Sequence, residues 1–131
     1  MSVTIWHNPK CGTSRNTLAL IRATGVEPVV VDYLKDTPDA ATLARVAAAV
    51  GGAVALLRVK GTPAEALGLV GADDATILAA MATHPILINR PVVIGPRGTV
   101  LARPSERALA VLDTALPADF VKEDGEIVRP A

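Results

Sequence analysis

Two short apolar runs near the start of the chain enclose one amphipathic stretch. Residues 3–6 are apolar and β-prone, and a segment rich in turn-forming residues follows them. Thr13 or Ser14 can then cap a helix that ends at Gly25, and residues 28–33 form the second apolar run. A strand, a helix and a strand in so short a stretch predict a βαβ unit, in which the strands are parallel and the crossover is right-handed.

The middle of the chain shows the boundary signals of helices. Thr37 precedes a proline that suits the first position of a helix, and the two glycines at residues 51–52 end that helix. Residues 62–65 fit a capping box, and two aspartates open a further helix over residues 75–83. This part of the chain is therefore predicted to be a helical insertion.

Apolar runs return in the last third of the chain. Residues 92–94 and 99–101 flank a Gly-Pro-Arg-Gly segment and predict a β-hairpin. A helix is predicted from Pro104 to Leu112, and beyond Pro117 the polar sequence predicts a loosely held end. A βαβ half, a helical insertion and a ββα half together are the layout of an α/β, thioredoxin-like fold. We assign residues 1–131 to a single domain of this kind.

Composition and charge exclude several classes of protein. The 131 residues are 50% hydrophobic, which suits one folded domain, and basic and acidic side chains balance at 13 each. Zero net charge and 2% aromatic residues argue against nucleic-acid binding. The longest apolar stretch, residues 46–57, is too short to span a membrane, and no signal-peptide pattern is visible. We therefore expect a soluble cytoplasmic protein that binds neither nucleic acid nor a membrane.

The chain has one cysteine, Cys11, which excludes an internal disulfide and a cysteine-rich zinc site. With only two histidines, no metal site is expected. Cys11 directly precedes the first predicted helix, where backbone N–H groups and the helix dipole favour a thiolate. His7, Lys10 and Arg15 lie within four residues and can add positive charge. We interpret Cys11 as a reactive nucleophile; the alternative is a buried, inert cysteine.

The spacing after Cys11 separates two kinds of cysteine chemistry. A phosphatase loop has an arginine six positions after the nucleophile, where this chain has Thr17. A dithiol redox loop has a second cysteine three positions on, where this chain has Ser14. The segment is thus a single-thiol version of the redox loop. Any turnover that oxidises Cys11 needs a second thiol from outside, for example glutathione.

Three arginines stand out by their context. Arg58 ends an apolar run, Arg90 precedes Pro91 ahead of a strand, and Arg103 precedes a proline at a helix start. In a thioredoxin-like fold the residue before the third strand meets the active-site loop across a cis-proline, which places Arg90 beside Cys11 and makes Pro91 the candidate cis residue. A guanidinium beside the free N–H groups of a helix start, as at Arg103, suits an oxyanion. Each of the three could instead be a solvated surface arginine. That is our expectation for Arg45, Arg97, Arg107 and Arg129.

Two blocks of sequence are long and specific enough to be compared with a known family. The first is His-Asn-Pro-Lys-Cys-Gly-Thr-Ser-Arg-Asn-Thr at residues 7–17, and the second is His-Pro-Ile-Leu-Ile-Asn-Arg-Pro at residues 84–91. Arg-Pro-Ser-Glu at residues 103–106 forms a third block, and Phe120 with residues 122–125 adds a weak match in the tail. Over residues 3–128 the chain resembles the glutaredoxin-dependent arsenate reductases. Lys10 departs from the small residue expected before the cysteine.

The resemblance implies a thioredoxin-like fold and the reduction of arsenate to arsenite, with Cys11 as nucleophile. It implies an oxyanion-binding set, which is Arg58, Arg90 and Arg103. It also implies a set that supports the thiolate, which is His7, Ser14 and Arg15. Glutathione would be a co-substrate and glutaredoxin a protein partner. No bound cofactor is expected, and the chain is expected to be a monomer.

Two other functions fit the same fold. A general glutathione-linked thiol oxidoreductase would reduce mixed disulfides and would not need three arginines. A non-enzymatic regulator that contacts RNA polymerase would use a surface patch rather than an anion pocket. The presence of all three arginines favours the arsenate reductase.

Overall fold

The computed structural model describes residues 2–131; Met1, the first residue of the predicted domain, lies outside the described residues. The chain divides into two compact units. The first combines the described residues up to Asp32 with Arg90–Ala131, and the second is Tyr33–Asn89. Along the sequence, the second unit is inserted between the two halves of the first. The assignment of the whole chain to one domain stays a prediction.

The first unit is built on a four-stranded mixed sheet. Its strands are β1 (Thr4–His7), β2 (Val29–Asp32), β3 (Val92–Gly95) and β4 (Gly98–Leu101), in the spatial order β2-β1-β3-β4. Strands β1 and β2 are parallel, whereas β3 is antiparallel to both β1 and β4. The βαβ unit and the β-hairpin predicted from the sequence are therefore confirmed.

Helix α1 (Gly12–Ala23) joins β1 to β2 and begins directly after Cys11. The predicted caps at Thr13 and Ser14 are wrong, because Cys11 is itself the N-cap residue and both hydroxyl residues lie in the first turn. The Ser14 hydroxyl is hydrogen bonded instead to His7, the last residue of β1, and to the N–H of Asn8. The predicted end of the helix agrees with Gly25, whose φ of 91° lies in the left-handed region that favours glycine.

The core of the first unit lies where the sheet and α1 pack against a 3₁₀ helix, Ser105–Val111. The sequence predicted a helix here, and the structure shows the tighter 3₁₀ form. At the end of β3, a Cβ on Gly95 would collide with the carbonyl oxygen of Val111, so only glycine allows this close approach. The buried cluster consists of Val3, Ile5, Ile21, Val93, Ala102, Ala108, Val111 and Leu112.

The prediction of a loosely held C-terminal end is wrong. Strands β5 (Phe120–Val121) and β6 (Ile127–Val128) form an antiparallel pair, which we call the C-terminal hairpin together with the turn between them. Val128 is buried against Leu20 of α1 and Leu116. Polar composition alone predicted a loose end, but these long-range contacts order the segment.

The second unit is helical. It contains α2 (Ala40–Val50), α3 (Ala53–Leu56) and α4 (Asp74–Thr83), followed by a 3₁₀ turn at Pro85–Leu87. Its fully buried side chains include Leu43, Leu56, Ile77 and Met81. The predicted helical insertion is therefore present.

Aspartate side chains set the starts of the two longer helices. Asp39 accepts a hydrogen bond from the Thr42 N–H at 2.8 Å, so α2 begins two residues later than predicted. Asp73 caps α4 in the same way, so the helix predicted after the two aspartates is confirmed and begins one residue earlier than expected. The helix predicted from the capping box at residues 62–65 is wrong: this segment forms turns, in which the Thr62 hydroxyl donates to backbone carbonyls and accepts from the Ala64 N–H. Across residues 2–131, no helix is both long and apolar enough to cross a membrane.

Candidate active site

Cys11 lies at the junction of a tight loop and helix α1. The Cys11 N–H donates to the Asn8 carbonyl at 3.0 Å, and the Lys10 N–H donates to Asn8 Oδ1 at 3.0 Å. The Arg15 N–H donates to the Cys11 carbonyl at 3.0 Å and continues the hydrogen bonding into the helix. The loop therefore holds a half-buried cysteine at the positive end of α1.

The surroundings of Cys11 favour its thiolate. Burial by itself raises the pKa of the Cys11 thiol, but three nearby groups together outweigh it. A hydrogen bond from the backbone N–H of Ser14, the positive charge of Arg90, and a hydrogen bond and charge from Arg103 lower the pKa below the ordinary value. Arg103 Nη1 lies 3.8 Å from Cys11 Sγ. The sulfur is therefore set up as a nucleophile.

Arg90 and Arg103 are held to each other as well as placed near the sulfur. Arg103 Nη1 donates to the Arg90 carbonyl at 3.0 Å. Both arginines precede cis peptide bonds, at Pro91 and at Pro104. The sequence singled out Pro91 and missed Pro104, because an Arg-Pro pair by itself does not reveal its isomer. The structure thus brings a thiolate and two guanidinium groups together, an arrangement that can bind an oxyanion and attack its central atom.

His7 and Ser14 form a hydrogen-bonded pair next to the cysteine loop. His7 Nδ1 and Ser14 Oγ are hydrogen bonded at 2.6 Å, and the Asn8 N–H donates to the same hydroxyl at 3.0 Å. Burial lowers the pKa of His7, although the Asp32 carboxylate opposes this shift, so the imidazole is largely neutral at pH 7. The pair therefore fixes the first turn of α1, and with it the Ser14 N–H, rather than adding a full positive charge beside Cys11.

Arg15 forms an ion pair with Glu123 of the C-terminal hairpin. Its Nε and Nη2 donate to the two carboxylate oxygens of Glu123 at 2.8 and 2.9 Å, and its Nη1 donates to the Pro9 carbonyl at 2.9 Å. Sequence reasoning missed Glu123, because no local pattern connects it to Arg15 across the length of the chain.

The sequence also draws attention to Arg58 and Lys10. Arg58 belongs to the second unit, where its Nε donates to the Lys60 carbonyl at 3.2 Å and its N–H to the Leu87 carbonyl at 2.8 Å. Its place in the oxyanion site stays a prediction. The Lys10 side chain is exposed. Within residues 2–131, no group of three or more His, Cys, Asp and Glu side chains is arranged to hold a metal ion.

The lowered pKa of Cys11 gives a pH-dependence that can be measured. The thiolate is present above the lowered pKa and is lost as the pH falls through it, so alkylation by iodoacetamide should have a midpoint below the value of about 8.5 for a free cysteine. The Arg103→Ala variant should shift the midpoint upward, because it removes a hydrogen bond and a positive charge from the sulfur. A wild-type midpoint at or above that of free cysteine would contradict this description of the site.

Comparison with known proteins identifies the family of this fold and loop. The model of the ArsC family matches residues 6–111. A protein named arsenate reductase from Rhizobium meliloti (strain 1021) is 54% identical over all of this chain and 96% of its own length. One of the same name from Escherichia coli is 50% identical over 97% of this chain and 92% of its own length.

Solved structures of proteins with the same fold lead to the same family. A structure described as an arsenate reductase from Vibrio cholerae matches with a TM-score of 0.80 and 40% identity, covering 86% of this chain and 98% of that one. The α/β, thioredoxin-like fold predicted from the sequence is confirmed by this likeness.

Proposed function

The chain belongs to the ArsC family and is an arsenate reductase, and we propose that it works through Cys11 alone, with glutathione and glutaredoxin as reductants. The observation that carries the proposal is the approach of Arg103 Nη1 to within 3.8 Å of Cys11 Sγ, beside the charge of Arg90. A sulfur with a lowered pKa and two guanidinium groups, which are suited to bind an oxyanion, therefore lie close together.

The arginines bind and orient the substrate. Arsenate carries negative charge on several oxygens, and guanidinium groups can hold such oxygens through paired, charge-assisted hydrogen bonds. Arg90 and Arg103 fix arsenic within reach of the sulfur, and Arg58 is the third arginine of the proposed set. The same groups stabilise the negative charge as it shifts among the oxygens during attack.

The first chemical step makes a covalent adduct. Cys11 Sγ forms a bond to arsenic, and one arsenate oxygen is protonated and leaves as water, so arsenic stays in the +5 state. The thiol of glutathione then replaces a second oxygen, which also leaves as water. Arsenic now carries two sulfur substituents and has not yet been reduced.

The second thiol partner supplies the reduction. A glutaredoxin thiolate attacks the glutathione sulfur and forms a mixed disulfide, and the electron pair of the broken sulfur–arsenic bond stays on arsenic. Arsenic is thereby reduced from +5 to +3, while two thiols are oxidised to one disulfide. Water then displaces the arsenic from Cys11, which releases arsenite and regenerates the thiol.

External thiols are required because the chain cannot supply a second one. Cys11 is its only cysteine, and Ser14 stands where a dithiol enzyme has its resolving cysteine. A serine hydroxyl cannot form a disulfide, and this one is hydrogen bonded to His7 and Asn8. A reducing cytoplasm supplies the thiols that the reaction consumes, and we propose that the enzyme acts there as a monomer.

Arsenite release under four conditions tests this requirement. Wild-type protein with arsenate alone should make no arsenite catalytically, and added glutathione should give at most slow turnover. Glutathione with glutaredoxin should give full turnover, and the Cys11→Ser variant in that complete mixture should give none. Sustained arsenite production without any added thiol would contradict the single-thiol mechanism, because no source of electrons would remain.

A further inference from the structure

The guanidinium of Arg15 ties the C-terminal hairpin to the loop that presents Cys11. Two of its nitrogens hold both oxygens of the Glu123 carboxylate, and the third donates to the carbonyl of Pro9, two residues before the cysteine. A bidentate carboxylate contact fixes the plane of a guanidinium, so Glu123 decides where the remaining nitrogen of Arg15 points.

Glu123 is itself held firmly in place. Its N–H donates to Asn16 Oδ1 on α1 at 3.0 Å. The preceding residue, Lys122, is 8% exposed at its side chain, and its Nζ donates to Glu106 at 2.9 Å and to Glu126 at 2.6 Å. The hairpin is therefore anchored to α1 and to the 3₁₀ helix that follows Arg103.

Stability alone does not explain this ion pair. The Arg15 and Glu123 side chains are 44% and 51% exposed, and exposed ion pairs contribute little to folding free energy. The pair instead fixes the orientation of the Arg15 guanidinium, which also donates to the Pro9 carbonyl in the loop that presents Cys11.

We propose that Glu123 is a positioning residue for the reaction at Cys11: it holds Arg15 on the Pro9 carbonyl and so keeps the cysteine loop in one geometry. Glu123 also compensates the charge of Arg15, so that this cation does not act with its full charge on the sulfur or on the bound oxyanion. The inference rests on the proposed function only in taking Cys11 as the nucleophile.

The Glu123→Gln variant separates positioning from ionisation. Glutamine keeps the size of the side chain and removes its charge, which leaves the Arg15 charge uncompensated. The midpoint for alkylation of Cys11 by iodoacetamide should therefore fall, by on the order of 0.3 pH unit. The kcat/KM for arsenate should nevertheless drop on the order of tenfold, because the loop is no longer held. More thiolate with slower turnover is a result that simple destabilisation does not give.

A matched control is available at the other end of α1. Glu27 makes a similar exposed, two-pronged ion pair with Arg22, at 3.0 Å for both contacts. The Glu27→Gln variant should leave both the alkylation midpoint and kcat/KM at wild-type values. Thermal melting of both variants shows whether the fold is retained.

A double-mutant cycle tests whether Glu123 acts through Arg15. In an Arg15→Gln background, Glu123→Gln should cause no further fall in kcat/KM, because the contact through which Glu123 holds the loop is already lost. A further fall in kcat/KM in that background, an unchanged midpoint in the single variant, or equal effects of Glu27→Gln would each overturn the inference. The alkylation readout needs no arsenate, so a failure of the proposed arsenate reaction would be seen separately.

Discussion

Arsenite formation should be abolished when Cys11 is replaced by serine, with a loss of at least about a thousandfold in kcat. A serine hydroxyl stays protonated at neutral pH, whereas the Ser14 N–H, Arg90 and Arg103 lower the pKa of the Cys11 thiol and favour a nucleophilic thiolate. The variant also cannot form a sulfur–arsenic bond, and the chain has no other cysteine to replace it. Arsenite released in the presence of glutathione and glutaredoxin is the quantity to measure.

The fold and the substrate site should survive this change. Cys11 is half-buried and serine is slightly smaller, so thermal melting should stay close to that of the wild type. Arsenate should still bind, since the variant leaves Arg90 and Arg103, the proposed binding groups, unchanged. Residual turnover within tenfold of the wild type would show that another group carries the chemistry.

Arsenate affinity should fall sharply when either site arginine of the first unit is removed. Arg90→Ala and Arg103→Ala each delete a charged hydrogen-bond donor, and such a loss costs about 1.5–3 kcal/mol, or roughly 10- to 150-fold in Kd. Arg97→Ala is the matched control, because Arg97 lies in the β3–β4 turn and is paired with Asp113 at 3.0 Å. Isothermal titration with arsenate compares the three variants.

The titration should be made at a pH well above the thiol midpoint of every variant. Arg103→Ala removes a donor to the sulfur as well as a proposed donor to the substrate, so a lower pH would mix a change in thiolate content with a change in binding. Equal losses in all three variants would show that the oxyanion site lies elsewhere.

Local pattern was enough to predict the parts of the fold that position the site. The β1-α1-β2 unit and the β3–β4 hairpin follow from short apolar runs and turn residues close together in sequence. The place of Cys11 at the start of α1 follows from the same local signals. Arg90 was expected beside Cys11 because the fold, once assigned, fixes what lies ahead of the third strand.

Long-range contacts explain what the sequence did not predict. The C-terminal hairpin is ordered by the buried Lys122 and its two glutamates and by packing of Val128 on α1, none of which a polar tail reveals. The cap predicted at Ser14 is wrong for the same reason, because its hydroxyl is hydrogen bonded to His7 at the end of β1 and to the N–H of Asn8. These are contacts of tertiary structure, which override local propensity.

Oxidation of NADPH in a mixture of enzyme, glutathione, glutaredoxin and glutathione reductase tests the central claim most directly. Each arsenate reduced leaves one disulfide, so the account predicts oxidation that starts only when arsenate is added and that matches arsenite in amount. A general thiol oxidoreductase would instead consume NADPH with a glutathione mixed disulfide whether or not arsenate is present. Oxidation that is independent of arsenate, or that proceeds without arsenite, would contradict the account.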